Sequence, residues 1–144
     1  MPGIVVGTDG SDHAHRAIDW AMREAAARQT GVTVIAVVPA MASPWTGHPL
    51  SVPDGDAAVQ RAREAAEQAV AAAAAAIGDA QPTSVAVNAF IGFPAQALVE
   101  ASHGADLLVV GRRGSGGFAS LLIGSVSGQI AHHAACPVVI VPSK

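Results

Sequence analysis

The sequence predicts an α/β fold: an open, doubly wound sheet of five parallel strands in the order 3-2-1-4-5, with helices on both faces. Three observations point there. Short runs rich in Val, Ile and Leu alternate with helical patterns along the whole chain, and strands joined through helices run parallel with right-handed crossovers. The second run, Val32 to Val38, is almost continuously β-branched, as in a strand buried on both faces. Gly or Pro punctuates nearly every change of pattern. At 144 residues, residues 1–144 are expected to form one domain with a substantial core.

In chain order, Ile4 to Val6 behind Gly3 forms a short buried strand, ended by the turn Gly7-Thr8-Asp9-Gly10-Ser11. Ser11 or Asp12 caps the first helix, where Ala14, Ile18, Ala21, Met22 and Ala25 recur at helical spacing until Gly31. After the second strand, Pro39 to Gly55 is irregular, with Pro39, Pro44, Pro49 and Pro53 around Trp45 and His48. Loops of that length serve as lids, partner sites or unstructured linkers. Asp54 to Ile77 is an alanine-dominated helix stopped by Gly78. In the third strand, Ser84 to Phe90, Val85, Val87 and Ala89 alternate with Ser84, Ala86 and Asn88, a half-polar pattern suited to a sheet edge. Pro94 opens a third helix over Ala95 to His103, closed by Gly104. Asp106 to Val110 is the fourth strand. Ser125 to Ala134 is the last helix, with Val126 and Ile130 facing inward, and Pro137 to Val141 is the fifth strand, ended by Pro142.

Composition removes several functions. The net charge of −3 and a charged fraction of 13% advertise no nucleic-acid surface. Lysine occurs once, at Lys144, so neither Schiff-base chemistry nor a Walker-type phosphate lysine is available. A lone Cys136 excludes an intramolecular disulfide and a CxxC metal knuckle. The first residues lack the basic and apolar parts of a signal peptide. The apolar stretch Val70 to Ile77 is too short to span a bilayer. A soluble, cytoplasmic protein without membrane contacts is expected.

The chemistry concentrates in Val109 to Ser127. Gly111, Gly114, Gly116, Gly117 and Gly124 fall within fourteen residues, directly after an apolar run and before Ser125 opens a helix. Glycine lets backbone N–H groups crowd an anion, and a helix start adds unpaired donors and partial positive charge. Arg112 and Arg113 add full charge, although either also suits a solvated loop. The predicted order sets strand one beside strand four where the winding reverses, the usual ligand position in such sheets. The loops Gly7–Ser11 and Gly111–Ser125 both leave that point. Asp9 there is either a turn residue bonding its own backbone or a partner for a ribose hydroxyl or a hydrated divalent ion. Mg2+ is expected with a triphosphate. Ser125 caps its helix and still leaves N–H groups for a phosphate.

Other residues read more plainly. His132 and His133 suit the negative end of the last helix. His13 and His15 lie near the Asp9 turn, but no HExxH or His/Cys cluster accompanies them. Cys136 reads as a small buried residue before a strand. Trp45 covers a ligand, a partner or the domain's own surface.

Gly111-Arg112-Arg113-Gly114, nine residues, then Gly124-Ser125 matches the G-x2-G-x9-G-[ST] pattern of the ATP-binding universal stress proteins. The Asp9 turn, Gly92-Phe93-Pro94 and the ending Cys136-Pro137-Val138-Val139-Ile140-Val141 extend the likeness over the whole chain, which resembles a single-domain member. The resemblance implies that Gly111, Gly114, Gly124, Ser125 and Val126 hold the phosphates. It places Asp9 and Thr8 beside the nucleoside and the Val37 backbone against adenine. The family's loop often has a small residue or histidine where this chain has Arg112 and Arg113, a departure that leaves open which nucleotide is preferred and how phosphate charge is met; Arg113 is kept as a candidate nucleotide contact. The resemblance also implies a homodimer through the Val138–Val141 edge.

The expected function is an ATP- or ADP-binding regulatory protein of the stress response, acting through nucleotide-dependent conformation and an unidentified protein partner. Two alternatives stand beside it. One is a cyclic AMP binder on the same fold. The other is a slow ATP hydrolase, since the glycine loop has no histidine and no nearby carboxylate except Asp9.

Overall fold

Five strands build one all-parallel sheet: β1 (Ile4–Thr8), β2 (Val32–Pro39), β3 (Val85–Gly92), β4 (Leu107–Gly111) and β5 (Val138–Val141), in the order β3-β2-β1-β4-β5. Among the described residues four helices connect them: α1 (Asp12–Arg28), α2 (Gly55–Ile77), α3 (Pro94–Ser102) and α4 (Ser125–His133). The computed structural model describes residues 3–9, 12–40, 55–111 and 125–142, with backbone alone at 12–14 and 125–126. The predicted fold class and strand order are those observed.

Topology assigns the helices to faces. The first two crossovers step outward from β1 through β2 to β3, and the last steps the opposite way from β4 to β5. Right-handed crossovers in opposite directions put their helices on opposite faces. Accordingly Ala17, Ile18, Ala21, Met22 and Ala25 of α1, with Ala66, Ala69 and Ala73 of α2, pack on Ile4, Val6, Val34 and Val109. Leu98 of α3 and Ile130 of α4 pack on Val5, Ile35, Val37, Leu108 and Val110. Successive strand residues serve opposite cores, as a pleat demands. Each buried Ile, Leu or Val contributes about 1.5–3 kcal/mol. The many alanines bring the first helix pair close to the sheet.

Strand ends extend beyond the apolar runs. β1 continues to Thr8 because Gly7 and Thr8 pair with Ile35 and Ala36, and β3 runs to Gly92 opposite Pro39. The Val32 and Ala40 amides donate to Ser84 and Gly92 carbonyls, so even-numbered residues of β2 address β3. Pro39 therefore lacks its N–H on the other side, past the last β1 partner, where no ladder bond is lost.

β3 is an edge, as its alternation predicts, with Val85, Phe90 and Ile91 exposed. The Arg63 side chain of α2 reaches over it and donates to the Val87 carbonyl at 3.3 Å. The rim at the strands' amino ends is tied by main-chain bonds: Ile4 to Gly31, Thr83 to Thr30, Asp106 to Gly3 and Leu108 to Pro137, all amide to carbonyl at 2.8–3.0 Å. The Asp106 carboxylate also accepts from the Gly3 amide at 2.9 Å.

Candidate functional site

β1 pairs with β2 on one side and β4 on the other, so the winding reverses between β1 and β4. In open α/β sheets the carboxyl ends of the strands at such a reversal are where a crevice for ligands forms. Val6 lies beside Val109, which brings Thr8 and Gly111, two residues further along each strand, to the same rim. Thr8 is buried and Asp9, just past the strand, is half-buried.

Val37 sits one residue beyond the last β1–β2 pair, Thr8 with Ala36. Its side chain is 3% exposed and packed in the α3–α4 core. The parity that turns even residues of β2 toward β3 turns the Val37 carbonyl toward β1. Only the backbone of Val37 is thus offered to the rim.

α4 begins at Ser125, so Ser125 and Val126 supply the first-turn amides that no helix can satisfy internally. The Ser127 hydroxyl donates to the Gly111 carbonyl at 2.8 Å, and Ser127 is only 4% exposed. This bond ties the end of β4 to the first turn of α4 across sixteen positions of sequence. Ile130, fully buried in the same core, anchors the next turn. α3 also starts on this rim, with Pro94 at its first positions and no side-chain cap from Phe93.

The sequence did not single out Ser127. Its one signal is a second serine two residues after the cap, on a helix face that must meet the sheet. Nor did it single out the contact of Gly7 with Leu98, where a Cβ on residue 7 would meet Leu98 Cδ1 at 2.5 Å. That glycine lets α3 lie close to β1.

Thr8, Asp9, Val37, Gly111, Ser125 and Val126 come together on this rim. Arg113, Gly114 and Gly124 lie outside the described residues, as do Arg112, the stretch 41–54 with Trp45 and His48, and Ser11. His132 and His133 stand exposed in the last turn of α4, their ring centroids 5.2 Å apart. Cys136 departs from its expected burial. It is only half-buried in the turn before β5, where Sγ donates to the Pro137 carbonyl at 3.4 Å. Partial burial pushes its thiol pKa up and the Asp106 charge adds to this, while a hydrogen bond with the Leu108 backbone opposes them.

Among the described residues no group of three or more His, Cys, Asp or Glu could hold a metal ion. Among the same residues no helix is long and apolar enough to cross a membrane.

Comparison with known proteins agrees with this architecture. The universal stress protein family profile matches residues 2–142. A universal stress protein of Mycolicibacterium smegmatis is 33% identical over 96% of the chain, and one of Mycobacterium tuberculosis is 34% identical over 98%. The chain spans about half the length of these relatives, 47% and 48%. A solved universal stress protein in complex with cAMP is 30% identical, with a TM-score of 0.71 over 99% of this chain and 98% of that one. With its profile match from end to end and its sheet order in agreement, the chain belongs to the universal stress protein family.

Proposed function

We propose that the chain binds an adenine nucleotide at the β1–β4 crevice and acts as a regulatory protein of the stress response. Occupancy changes the shape it offers a protein partner. The observation that carries this reading is the convergence of Asp9, the end of β4 and the first turn of α4 on one rim. The relative in complex with cAMP supports an adenine nucleotide as the ligand class.

In this reading the Val37 backbone meets adenine, and Thr8 and Asp9 meet the ribose. Gly111, Gly114, Gly124, Ser125 and Val126 offer amides to the phosphates, with Arg113 adding charge. ATP or ADP suits the long glycine loop. Mg2+ on the phosphates takes mostly phosphate and water oxygens, and in this reading Asp9 is the carboxylate that would hold its hydration shell. Ligand can shift conformation only through contacts that differ between the two shapes, and those contacts belong to the glycine loop.

Cyclic AMP is the second reading, favoured by the bound relative. A titration of ATP, ADP and cyclic AMP, with and without Mg2+, followed by thermal shift separates them. A ligand at 100 times its Kd stabilises the fold by about 2.7 kcal/mol. ATP or ADP is expected to raise Tm most, and Gly114→Ala to weaken that rise. No rise with any of the three at millimolar concentration overturns the nucleotide reading. Multiple-turnover ATPase activity is expected below about 1 s⁻¹, the low end of the usual enzyme range.

We further infer a homodimer through β5. Among the described residues its outer side has no strand beside it in the sheet, whereas the other edge strand has a carbonyl occupied by Arg63. Unguarded apolar edges recruit strands.

A further inference from the structure

We propose that Ser127 is a positioning residue of the phosphate site, acting through the Gly111 carbonyl; this rests on the nucleotide reading above. Gly111 is the last residue of β4, and its carbonyl dipole lies at the rim where an oxyanion would arrive. A bare carbonyl there repels the ligand. The Ser127 hydroxyl donates to that oxygen at 2.8 Å from a nearly closed environment, so the dipole is opposed from within the protein.

The same bond sets the helix. α4 is nine residues long and exposes Gly128, Gln129, His132 and His133. Its described buried side chains are Ser127 and Ile130. Ile130 fixes how deep the helix lies, and just past its end the Ala135 amide donates to the Ser102 hydroxyl of α3 at 2.8 Å, but both contacts lie beyond the first turn and leave its rotation and sliding open. The directional bond from Ser127 removes that freedom, because a hydrogen bond weakens steeply off line. The amides of the first turn therefore keep one register against the end of β4, which is the preorganisation that phosphate binding needs.

The test compares ATP with adenosine, which lacks phosphate, by calorimetry on wild type, Ser127→Ala and Ser127→Thr. Ser127→Ala is expected to raise the ATP Kd about tenfold, as for loss of one buried hydrogen bond, and to leave the adenosine Kd unchanged. Ser127→Thr keeps the hydroxyl and is expected to restore ATP binding. Should Ser127→Ala fail to fold, Ser127→Cys, a near-isosteric weak donor, replaces it with the same expectation. An ATP Kd unmoved in the variant, or an equal loss for adenosine, overturns the role of Ser127 while nucleotide binding stands. Wild type binding neither ligand overturns both.

Discussion

A methyl group on residue 7 would come within 2.5 Å of Leu98 Cδ1 and 2.9 Å of Cδ2, and both residues are buried with little room to yield. Gly7→Ala is therefore expected to destabilise the protein by about 1–3 kcal/mol through overpacking, read as a lower urea midpoint at unchanged slope. Combining it with Leu98→Ala should cost less than the sum of the two, since the truncated side chain vacates the space the methyl needs. At Cys136, the raised thiol pKa means that the folded chain keeps its proton to higher pH than the unfolded one. Stability from this group is whole below 9.0, its ordinary value, and is lost as pH rises through the folded pKa. Iodoacetamide labelling of the native protein should reach half its limiting rate above pH 9.0, and Cys136→Ser should flatten the alkaline loss of stability.

Among elements, the open edges behave differently. Arg63 occupies the outward carbonyl of Val87 on β3, next to exposed Phe90 and Ile91. Arg63→Ala is expected to change unfolding free energy by less than about 1 kcal/mol, as for a partly exposed hydrogen bond, yet to hasten aggregation followed by light scattering. Equal aggregation rates would deny the guarding role. Arg63 looks from the sequence like one more charge on a solvated helix, because nothing local reveals the strand beneath it. Strand number, order and edge character were legible, since Val32 to Val38 and Val138 to Val141 stand out as apolar, β-branched runs. Strand ends were not: Gly7 and Thr8 lack apolar bulk and are held by their pairing with Ile35 and Ala36. The place of Thr8, Asp9 and Gly111 on the β1–β4 rim was legible because a topology switch follows from strand order. Ser127 was not, because its partner lies sixteen positions away.

For the whole molecule, the proposed dimer hinges on which side of β5 each amide faces. Leu108 donates to the Pro137 carbonyl, so odd residues of β5 address β4 and Val138 and Ile140 turn outward. Ile140→Pro deletes an outward N–H and leaves the β4 ladder whole. Sedimentation is expected to give a two-chain mass for the natural sequence and a one-chain mass for this variant, with circular dichroism confirming that it folds. A single-chain mass for the natural sequence at about 100 μM, far above a micromolar Kd, would remove the interface.

The main-chain ties that link Ile4 to Gly31, Asp106 to Gly3 and Leu108 to Pro137 carry a different lesson. Such stitches use backbone atoms that every amino acid but proline can supply, so that, Gly3 and the Asp106 carboxylate that accepts its amide apart, that side of the sheet can drift in spelling while its geometry stays put. The opposite side, where particular atoms such as the Ser127 hydroxyl do the fastening, tolerates few misprints. Descendants of one ancestral domain should therefore vary most along the hemmed border and least along the receptive one.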